Sequence, residues 1–169
     1  MTVQHEFRYV AHWQTDLPDE GEAVLAFWKS EGAIGDETQA RSRLKEIVVH
    51  ARAENDEVAG VCTAVPVTLP KLGQPMYYYR CYVGRNYRQS MLFLHLWNRA
   101  LPILEGHARN HNFPCIGVVI ELENARFGEN GRDPVWQKSG FTYIGKSQRG
   151  FDLRVRYFRG AQLKDEKKS

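Results

Sequence analysis

Apolar and polar positions alternate along the chain in short blocks that predict strands and helices in turn. Blocks rich in aromatic and β-branched residues are typical of strands and cover residues 7–13, 47–67, 76–83 and 115–122. A turn at residues 54–57 divides the second block into a hairpin, and a closing hairpin joins FTYIG to FDLRVRYF around residues 147–150. The run 115–122 is almost wholly apolar, which predicts a strand at the centre of the sheet.

Helices are predicted between these strands from apolar residues at helical spacing. The first opens at Asp16 and ends at Gly32 and Gly35, and a short second helix contains Leu44. A long helix is expected from Met91 to about residue 111, and another short one over residues 134–139. Pro102 is expected to kink or divide the long helix, because proline lacks an amide proton and its ring clashes with the preceding turn.

The stretch YYYRCYVGRNYRQSMLFLHLW, from Tyr77 to Trp97, passes from strand to helix across the short basic turn GRNYRQS. The first turn of a helix has backbone N–H groups without intrahelical partners, and the helix dipole places partial positive charge there. Such a turn is suited to a phosphate. It is nevertheless poor in glycine, the residue that allows the closest approach of a backbone to a ligand.

The composition fits a single ordinary domain. The chain has 169 residues and is 43% hydrophobic, which predicts one domain over residues 1–160, followed by a polar tail over 161–169. Lys and Arg number 23 against 20 for Asp and Glu, a net charge of +3 that requires neither a nucleic acid nor an anionic membrane as partner. Arg149, Arg154, Arg156 and Arg159 could bind an anionic acceptor or RNA, or could simply face solvent.

No metal site is predicted, since the six histidines and three cysteines are scattered without ligand spacing. An odd number of isolated cysteines suits reduced thiols in the cytoplasm. The N-terminus lacks the pattern of a signal peptide, and no apolar run is long enough to span a membrane. We therefore expect a cytoplasmic protein.

The order β, α, α, β, β, β, α, β, α, β, β resembles that of the GNAT superfamily of acyl-CoA-dependent N-acyltransferases. The likeness is carried by Tyr87-Arg88-Gln89-Ser90 after the central strand, by IGVVIELEN and by VWQKSGFTYIG. It implies an α/β (α+β) fold with a mixed central sheet of about six to seven strands and about four helices. The family's pattern is Arg or Gln, two residues, Gly, one residue, then Gly or Ala, and the two small positions are occupied here by Met91 and Phe93.

The resemblance implies acetyl-CoA as the acyl donor, without a metal. The amides of Gln89, Ser90 and Met91, with the guanidinium of Arg88, would hold the pyrophosphate. Arg88 could otherwise be an exposed charge, and the turn a plain strand-to-helix connection.

The same resemblance assigns the rest of the donor site. The backbone of Cys81, Tyr82 and Val83 would pair with the pantetheine arm, and an N–H near Val83 would face the thioester oxygen as an oxyanion donor. Asn124 would touch the pantetheine, or could equally cap a helix. Trp136 would pack in the core or form a wall of the pocket.

Acyl transfer to an amine also requires a base and an acid. Glu121 stands in an apolar strand near the carboxyl end of the sheet, so it is the first candidate for the base, directly or through water. Glu123 is the second candidate, and an ordinary solvent-facing carboxylate is the alternative. The family often supplies a tyrosine that protonates the thiolate, but Trp136 occupies that position here. Tyr143, Tyr79 or solvent would then act as the acid.

Two functions of different classes follow. The first is an N-acetyltransferase in which a primary amine attacks acetyl-CoA directly within a ternary complex. The second is a catalytically weak or inactive module of the same fold that binds CoA or serves as an interaction or assembly protein. An RNA-binding sheet is a distant third. The acceptor amine is not identified, and a homodimer is left open.

Overall fold

The computed structural model describes residues 5–123 and 132–165, which form seven strands, three α-helices and two short 3₁₀ helices. In chain order the strands and α-helices are β1 (Arg8–Ala11), α1 (Pro18–Glu31), α2 (Glu37–Arg43), β2 (Ile47–Arg52), β3 (Val58–Thr68), β4 (Pro75–Val83), α3 (Leu92–Asn110), β5 (Gly117–Leu122), β6 (Thr142–Lys146) and β7 (Asp152–Tyr157). The 3₁₀ helices cover Leu44–Glu46 and Arg85–Tyr87.

The strands form a mixed sheet in the order β1-β2-β3-β4-β5-β7-β6. Strand β5 is the apolar run of the sequence and lies inside the sheet, parallel to β4 and antiparallel to β7. Both predicted hairpins are confirmed, as β2 with β3 and as β6 with β7. A mixed sheet with helices between its strands is the predicted fold class.

The predicted helix over residues 134–139 is wrong. Val135 instead forms a β-bridge with Thr142, and the Trp136 N–H donates to the Phe141 carbonyl at 2.8 Å. The chain reverses between them, where Gly140 has a φ of 80° and donates its N–H to the Trp136 carbonyl at 2.7 Å. Gly140, in the left-handed conformation, follows residues 134–139 directly and closes them into a turn, which leaves too few residues for a stable helix.

Pro102 does not divide the long helix, because α3 continues through it from Leu92 to Asn110. The missing amide proton removes one backbone hydrogen bond, but a buried apolar face runs along the helix on both sides of the proline. That face consists of Leu92, Leu96, Trp97, Ala100, Leu104 and Ala108.

The described chain divides into two compact units, each with an apolar cluster of its own. Unit 1 consists of Met1–Ala64 and Arg80–Ile103, and unit 2 consists of Val65–Tyr79 and Leu104–Ser169. The cluster of unit 1 contains Val24, Phe27, Trp28, Ala40, Ile47 and Val61. The cluster of unit 2 contains Met76, Ile116, Val119, Leu153 and Val155. The single domain over residues 1–160 stays a prediction. None of the described helices is both long and apolar enough to cross a membrane.

Gly117, at the start of β5, generates a test of the packing in unit 2. A Cβ added there would lie 2.6 Å from the Arg156 carbonyl oxygen and 2.9 Å from Met76 Cε and Tyr157 Cα. Two of these contacts are backbone atoms that cannot move aside, so we expect Gly117→Ala to lower the free energy of unfolding by about 2–3 kcal/mol in urea.

The matched control is Gly106→Ala in α3, where nothing lies within 4 Å of an added Cβ. Alanine is the better helix former, so this variant should gain about 0.5–1 kcal/mol. Equal stability of the two variants would contradict the packing described around Gly117.

Candidate functional site

The turn that joins β4 to α3 is built around a glycine that tolerates no side chain. Gly84 is buried, and its N–H donates to the Ala59 carbonyl at 2.8 Å. A Cβ at this position would lie 2.9 Å from Glu31 Oε1 and 3.2 Å from Phe27 and from the Ala59 carbonyl oxygen. The single glycine of the turn is therefore needed for close packing where the chain leaves the strand.

Glu31, the last residue of α1, ties the turn in place. Its carboxylate accepts from the Arg85 backbone N–H at 3.1 Å and from Arg85 Nε at 3.0 Å. The Tyr82 hydroxyl, from the end of β4, donates to the Glu31 backbone carbonyl at 3.3 Å. Glu31, Tyr82 and Arg85 all belong to unit 1, and their bonds hold the backbone of the turn in one conformation.

Backbone N–H groups accumulate at the start of α3. Those of Leu92 and Phe93 lie in the first turn of the helix, where N–H groups lack an intrahelical partner, and those of Gln89 and Met91 make no turn hydrogen bond of 3.5 Å or less with a described residue. The Ser90 N–H differs, because it donates to the Tyr87 carbonyl at 3.1 Å. Sequence reasoning named the amides of Gln89, Ser90 and Met91 as the phosphate-binding set; that of Ser90 is engaged within the turn, and phosphate binding by the set stays a prediction.

Met91 adopts the backbone conformation that glycine favours. Its φ is 60°, and its carbonyl accepts from Leu94 and His95, so Met91 caps α3 rather than beginning it. Its side chain is 50% exposed. A left-handed residue followed by a right-handed helix turns successive N–H groups towards one point, which is the geometry of an anion-binding nest. The turn thus has a nest's geometry although the family's glycine is missing.

The guanidinium of Arg88 lies against the end of β4. Its Nε donates to the Val83 carbonyl at 3.3 Å, and its Nη2 donates to the Tyr82 hydroxyl at 3.3 Å. Arg88 is exposed, Val83 is buried, and Cys81 and Tyr82 are half-buried. Four of the predicted donor-binding residues are thereby in unit 1 with the nest, and Arg88 places a positive charge beside it.

In unit 2, Glu121 is the centre of a polar cluster. Its Oε1 accepts from the Tyr78 hydroxyl at 2.6 Å and from Arg149 Nη2 at 2.6 Å. The same Arg149 nitrogen also donates to Glu123 at 2.5 Å. The Glu121 side chain is only 8% exposed. Burial alone would raise the pKa of Glu121, but hydrogen bonds from Arg149, Ser147 and Tyr78, together with the Arg149 charge, lower it to about 2.

The partners of Glu121 were missed by sequence reasoning. Tyr78 follows from the register of β4 beside β5, in which it pairs with Val119, two residues before Glu121. Arg149 lies in the predicted turn between β6 and β7, and β7 pairs with β5. Two signals in the sequence could have identified Arg149: the alternation of side chains along β5, and the position of Arg149 in the turn that precedes β7.

The other predicted residues of unit 2 differ in accessibility. Trp136 is 1% exposed and lies under the Arg154 guanidinium, whose Cζ is 4.1 Å from the ring centroid. Its ring therefore offers almost no surface to a ligand. Tyr143 is 40% exposed on β6, whereas Tyr79 is buried. Asn124 lies outside the described residues.

A second titratable cluster was not predicted. His12 Nε2 and His50 Nδ1 are 2.6 Å apart in the core of unit 1, and His50 Nε2 lies 3.0 Å from the Glu20 carboxylate. Burial, and then the neighbouring His12, lower the pKa of His50 to about 4, so the ring is neutral at neutral pH. Glu20 is also held by Arg52 at 2.8 Å. Among the described residues no group of three or more His, Cys, Asp or Glu is placed to hold a metal ion.

The fold is that of the GNAT-family acetyltransferases. A GNAT-family acetyltransferase from Streptococcus pneumoniae superposes with a TM-score of 0.59 at 13% identity, over 90% of this chain and 99% of its own. A phosphinothricin acetyltransferase of the GNAT superfamily from Sinorhizobium meliloti, in complex with AcCoA, gives 0.59 at 11% identity over 96% and 95%. A GNAT-family acetyltransferase from Listeria monocytogenes gives 0.51 at 17% identity over 91% and 95%.

In sequence, no protein-family model matches the chain, and no curated protein does. The structural likeness therefore lies in the backbone.

The φ of Met91 leads to a prediction about stability. Since Met91 precedes α3 and adopts a left-handed φ, Met91→Gly should relieve strain rather than weaken the helix. We expect the free energy of unfolding to rise by about 0.5–1 kcal/mol in urea. Met91→Ala keeps the strain and should not be stabilised, so a gain in both variants would contradict the left-handed conformation.

The polar cluster of unit 2 predicts a dependence of stability on pH. The pKa of Glu121 is lowered to about 2 in the folded state, against about 4.3 in the unfolded chain. The ionised carboxylate therefore stabilises the fold above about pH 4.3, and this stabilisation is lost as the pH falls to about 2. At pH 6 the free energy of unfolding of wild type should exceed that of Glu121→Gln by on the order of 2 kcal/mol. This difference should shrink as the pH falls from about 4 to 2.

Denaturant unfolding at a series of pH values measures this difference. Glu123→Gln is the control, because the Glu123 side chain is 63% exposed and should contribute little. A wild-type advantage over Glu121→Gln that stays constant between pH 6 and pH 2 would contradict the ion pair.

Proposed function

We propose that this chain is an acyl-CoA-dependent N-acetyltransferase that transfers an acetyl group from acetyl-CoA to a primary amine by direct attack in a ternary complex. The observation that carries the proposal is the nest of unpaired N–H groups at Gln89, Met91, Leu92 and Phe93, between a strand and a helix of a GNAT fold. Converging amides at a helix start are suited to the two negative phosphates of the CoA pyrophosphate.

In this proposal the donor is held mainly by backbone. The nest and the Arg88 guanidinium bind the pyrophosphate, and the left-handed Met91 supplies the angle that a glycine would supply. The backbone of Cys81, Tyr82 and Val83 pairs with the pantetheine arm as an added strand, and an N–H near Val83 stabilises the oxyanion. Since amides make these contacts, the exposed Met91 side chain can point away from the donor.

The reaction forms an amide bond between the amine nitrogen and the acetyl carbonyl, and it breaks the bond from that carbonyl to sulfur. An alkyl ammonium with a pKa of about 10.4 must first lose a proton. Glu121 attracts the ammonium as a permanent carboxylate, but with a pKa of about 2 it is a weak direct base, so the proton leaves through water. Tyr143, with its exposed hydroxyl, protonates the departing thiolate.

A second candidate function is a module of the same fold that binds CoA without catalysis, for interaction or assembly. Two observations favour it. Glu121 is engaged by Arg149 in an ion pair, which makes it a poor proton acceptor. Trp136 stands where the family often has its acidic tyrosine, and an indole N–H does not release a proton at neutral pH.

We infer a cytoplasmic location from the cysteines. None of the three forms a disulfide, and Cys62 and Cys115 are buried. Unpaired thiols persist in a reducing compartment, which suits intracellular acetyl-CoA chemistry.

The first test is the affinity for acetyl-CoA measured by calorimetry. Arg88→Ala should weaken binding by about 1–3 kcal/mol, the scale of a hydrogen bond to a charged group. Arg109→Ala, an exposed arginine in the last turn of α3, is the control and should bind like wild type. Equal affinity of wild type and Arg88→Ala would show that the pyrophosphate lies elsewhere.

The second test separates the two candidate functions. In an active enzyme Glu121→Gln preserves the shape and removes the charge that attracts the ammonium, so kcat/KM for a primary amine should fall by about tenfold or more, while acetyl-CoA affinity is unchanged. An unchanged kcat/KM would show that the Glu121 charge takes no part in the reaction and would leave Glu123 as the carboxylate candidate. A wild-type protein that binds acetyl-CoA and acetylates no member of an amine panel would favour the binding module.

A further inference from the structure

An aromatic cluster adjoins the turn in unit 1 and has no role in the reaction proposed above. The rings of His5 and Phe7 lie 5.5 and 5.8 Å from the Tyr87 ring, each at an interplanar angle of 75°. His5 and Phe7 are themselves 5.9 Å apart. His5 is exposed, and Phe7 and Tyr87 are half-buried. Because both rings meet Tyr87 edge to face, the ring faces are not stacked on one another.

The cluster continues along β1 to a cation. His5, Phe7 and Tyr9 alternate along extended chain, so their side chains share one side. Arg99, from α3, lies on that side, with its Cζ 4.1 Å from the Tyr9 ring centroid. Arg99 is exposed and has no carboxylate partner among the described residues. We call these five residues (His5, Phe7, Tyr9, Tyr87 and Arg99) the aromatic face.

Tyr87 joins the aromatic face to the nest. Its carbonyl accepts the Ser90 N–H at 3.1 Å and the Ser90 hydroxyl at 2.5 Å, and its own N–H donates to the Gly84 carbonyl at 2.9 Å. The residue is thus fixed at both its backbone groups, two positions before the first unpaired amide at Gln89. The backbone of Tyr87 is therefore part of the same turn as the nest, and its ring contacts His5 and Phe7.

We infer that the aromatic face binds the adenosine 3′-phosphate end of CoA, with the adenine against Tyr87, His5 and Phe7 and the 3′-phosphate at Arg99. This inference rests on the proposed function, since it takes the pyrophosphate to be in the nest. One ribose separates the pyrophosphate from the base, so a base platform must lie close beside the nest. Aromatic rings bind a flat base by stacking, and a guanidinium binds a phosphate through paired hydrogen bonds.

The experiment compares three ligands by calorimetry: CoA, dephospho-CoA without the 3′-phosphate, and 4′-phosphopantetheine without the whole adenosine. Tyr87→Ala should weaken CoA binding about tenfold, the scale of one lost base–aromatic stack, and leave 4′-phosphopantetheine within about twofold. Tyr87→Phe keeps the ring and should match wild type for both ligands. Arg99→Gln should weaken CoA but not dephospho-CoA.

Asn98→Ala is the matched control, because Asn98 is exposed on α3 beside Arg99 and is not one of the five residues of the aromatic face. If Tyr87→Ala weakens CoA and 4′-phosphopantetheine equally, the ring only supports the turn, and the inference is overturned. Wild-type affinity of Tyr87→Ala for CoA overturns it as well, and leaves the proposed function standing. A wild-type chain that binds none of the three ligands overturns the proposed function and the inference with it.

Discussion

The turn after β4 has to leave several backbone N–H groups without protein partners and still keep a fixed shape. Unpaired N–H groups are costly unless water or a ligand reaches them, so the turn needs support from other contacts. Gly84 packs where no side chain fits, and Glu31 accepts two hydrogen bonds from Arg85. The amides at the start of α3 are thereby held in place by the protein itself, and in the proposed donor site this reduces the entropy lost on binding.

The same constraint explains how the nest forms without the family's glycines. A glycine would adopt a left-handed φ without strain. The direction of the N–H groups depends on the backbone φ, however, and not on which residue adopts it. Met91 adopts a φ of 60°, and its side chain is half exposed. The cost is a strained residue, of a kind that tends to occur at functional sites.

Glu121 illustrates a tension between binding and proton transfer. A carboxylate held by Tyr78 and Arg149 is fixed in position and charged at neutral pH, and in the proposed reaction this charge attracts the ammonium ion. The same bonds lower its pKa and weaken it as a base. The Arg149 side chain is half exposed on a turn. In the proposed reaction the substrate ammonium displaces the Arg149 guanidinium and takes its place beside Glu121.

Much of the fold could be predicted because its signals are local. The hairpins follow from turn residues between apolar runs, and the central strand from the uninterrupted run that became β5. Residues 134–139 could not be predicted, since the pairing of Val135 with Thr142 decides their structure. The helix through Pro102 depends on its buried face, and tertiary packing outweighs the local preference of proline.

The candidate site was predictable only in part. The turn at Arg88 and the carboxylate of Glu121 stand out in the sequence, because each breaks the pattern around it. The engagement of the Ser90 N–H and the Arg149 ion pair depend on backbone angles and on strand register. Those features are set by the assembled sheet and have no local signal.

The most direct test of the central claim is an amide-resolved NMR titration of the ¹⁵N-labelled protein with acetyl-CoA. If the nest binds the pyrophosphate, the largest shifts should fall on the N–H groups of Gln89, Met91, Leu92 and Phe93, with a smaller shift at Ser90. Spectra unchanged at saturating acetyl-CoA, or shifts centred away from this turn, would contradict the account.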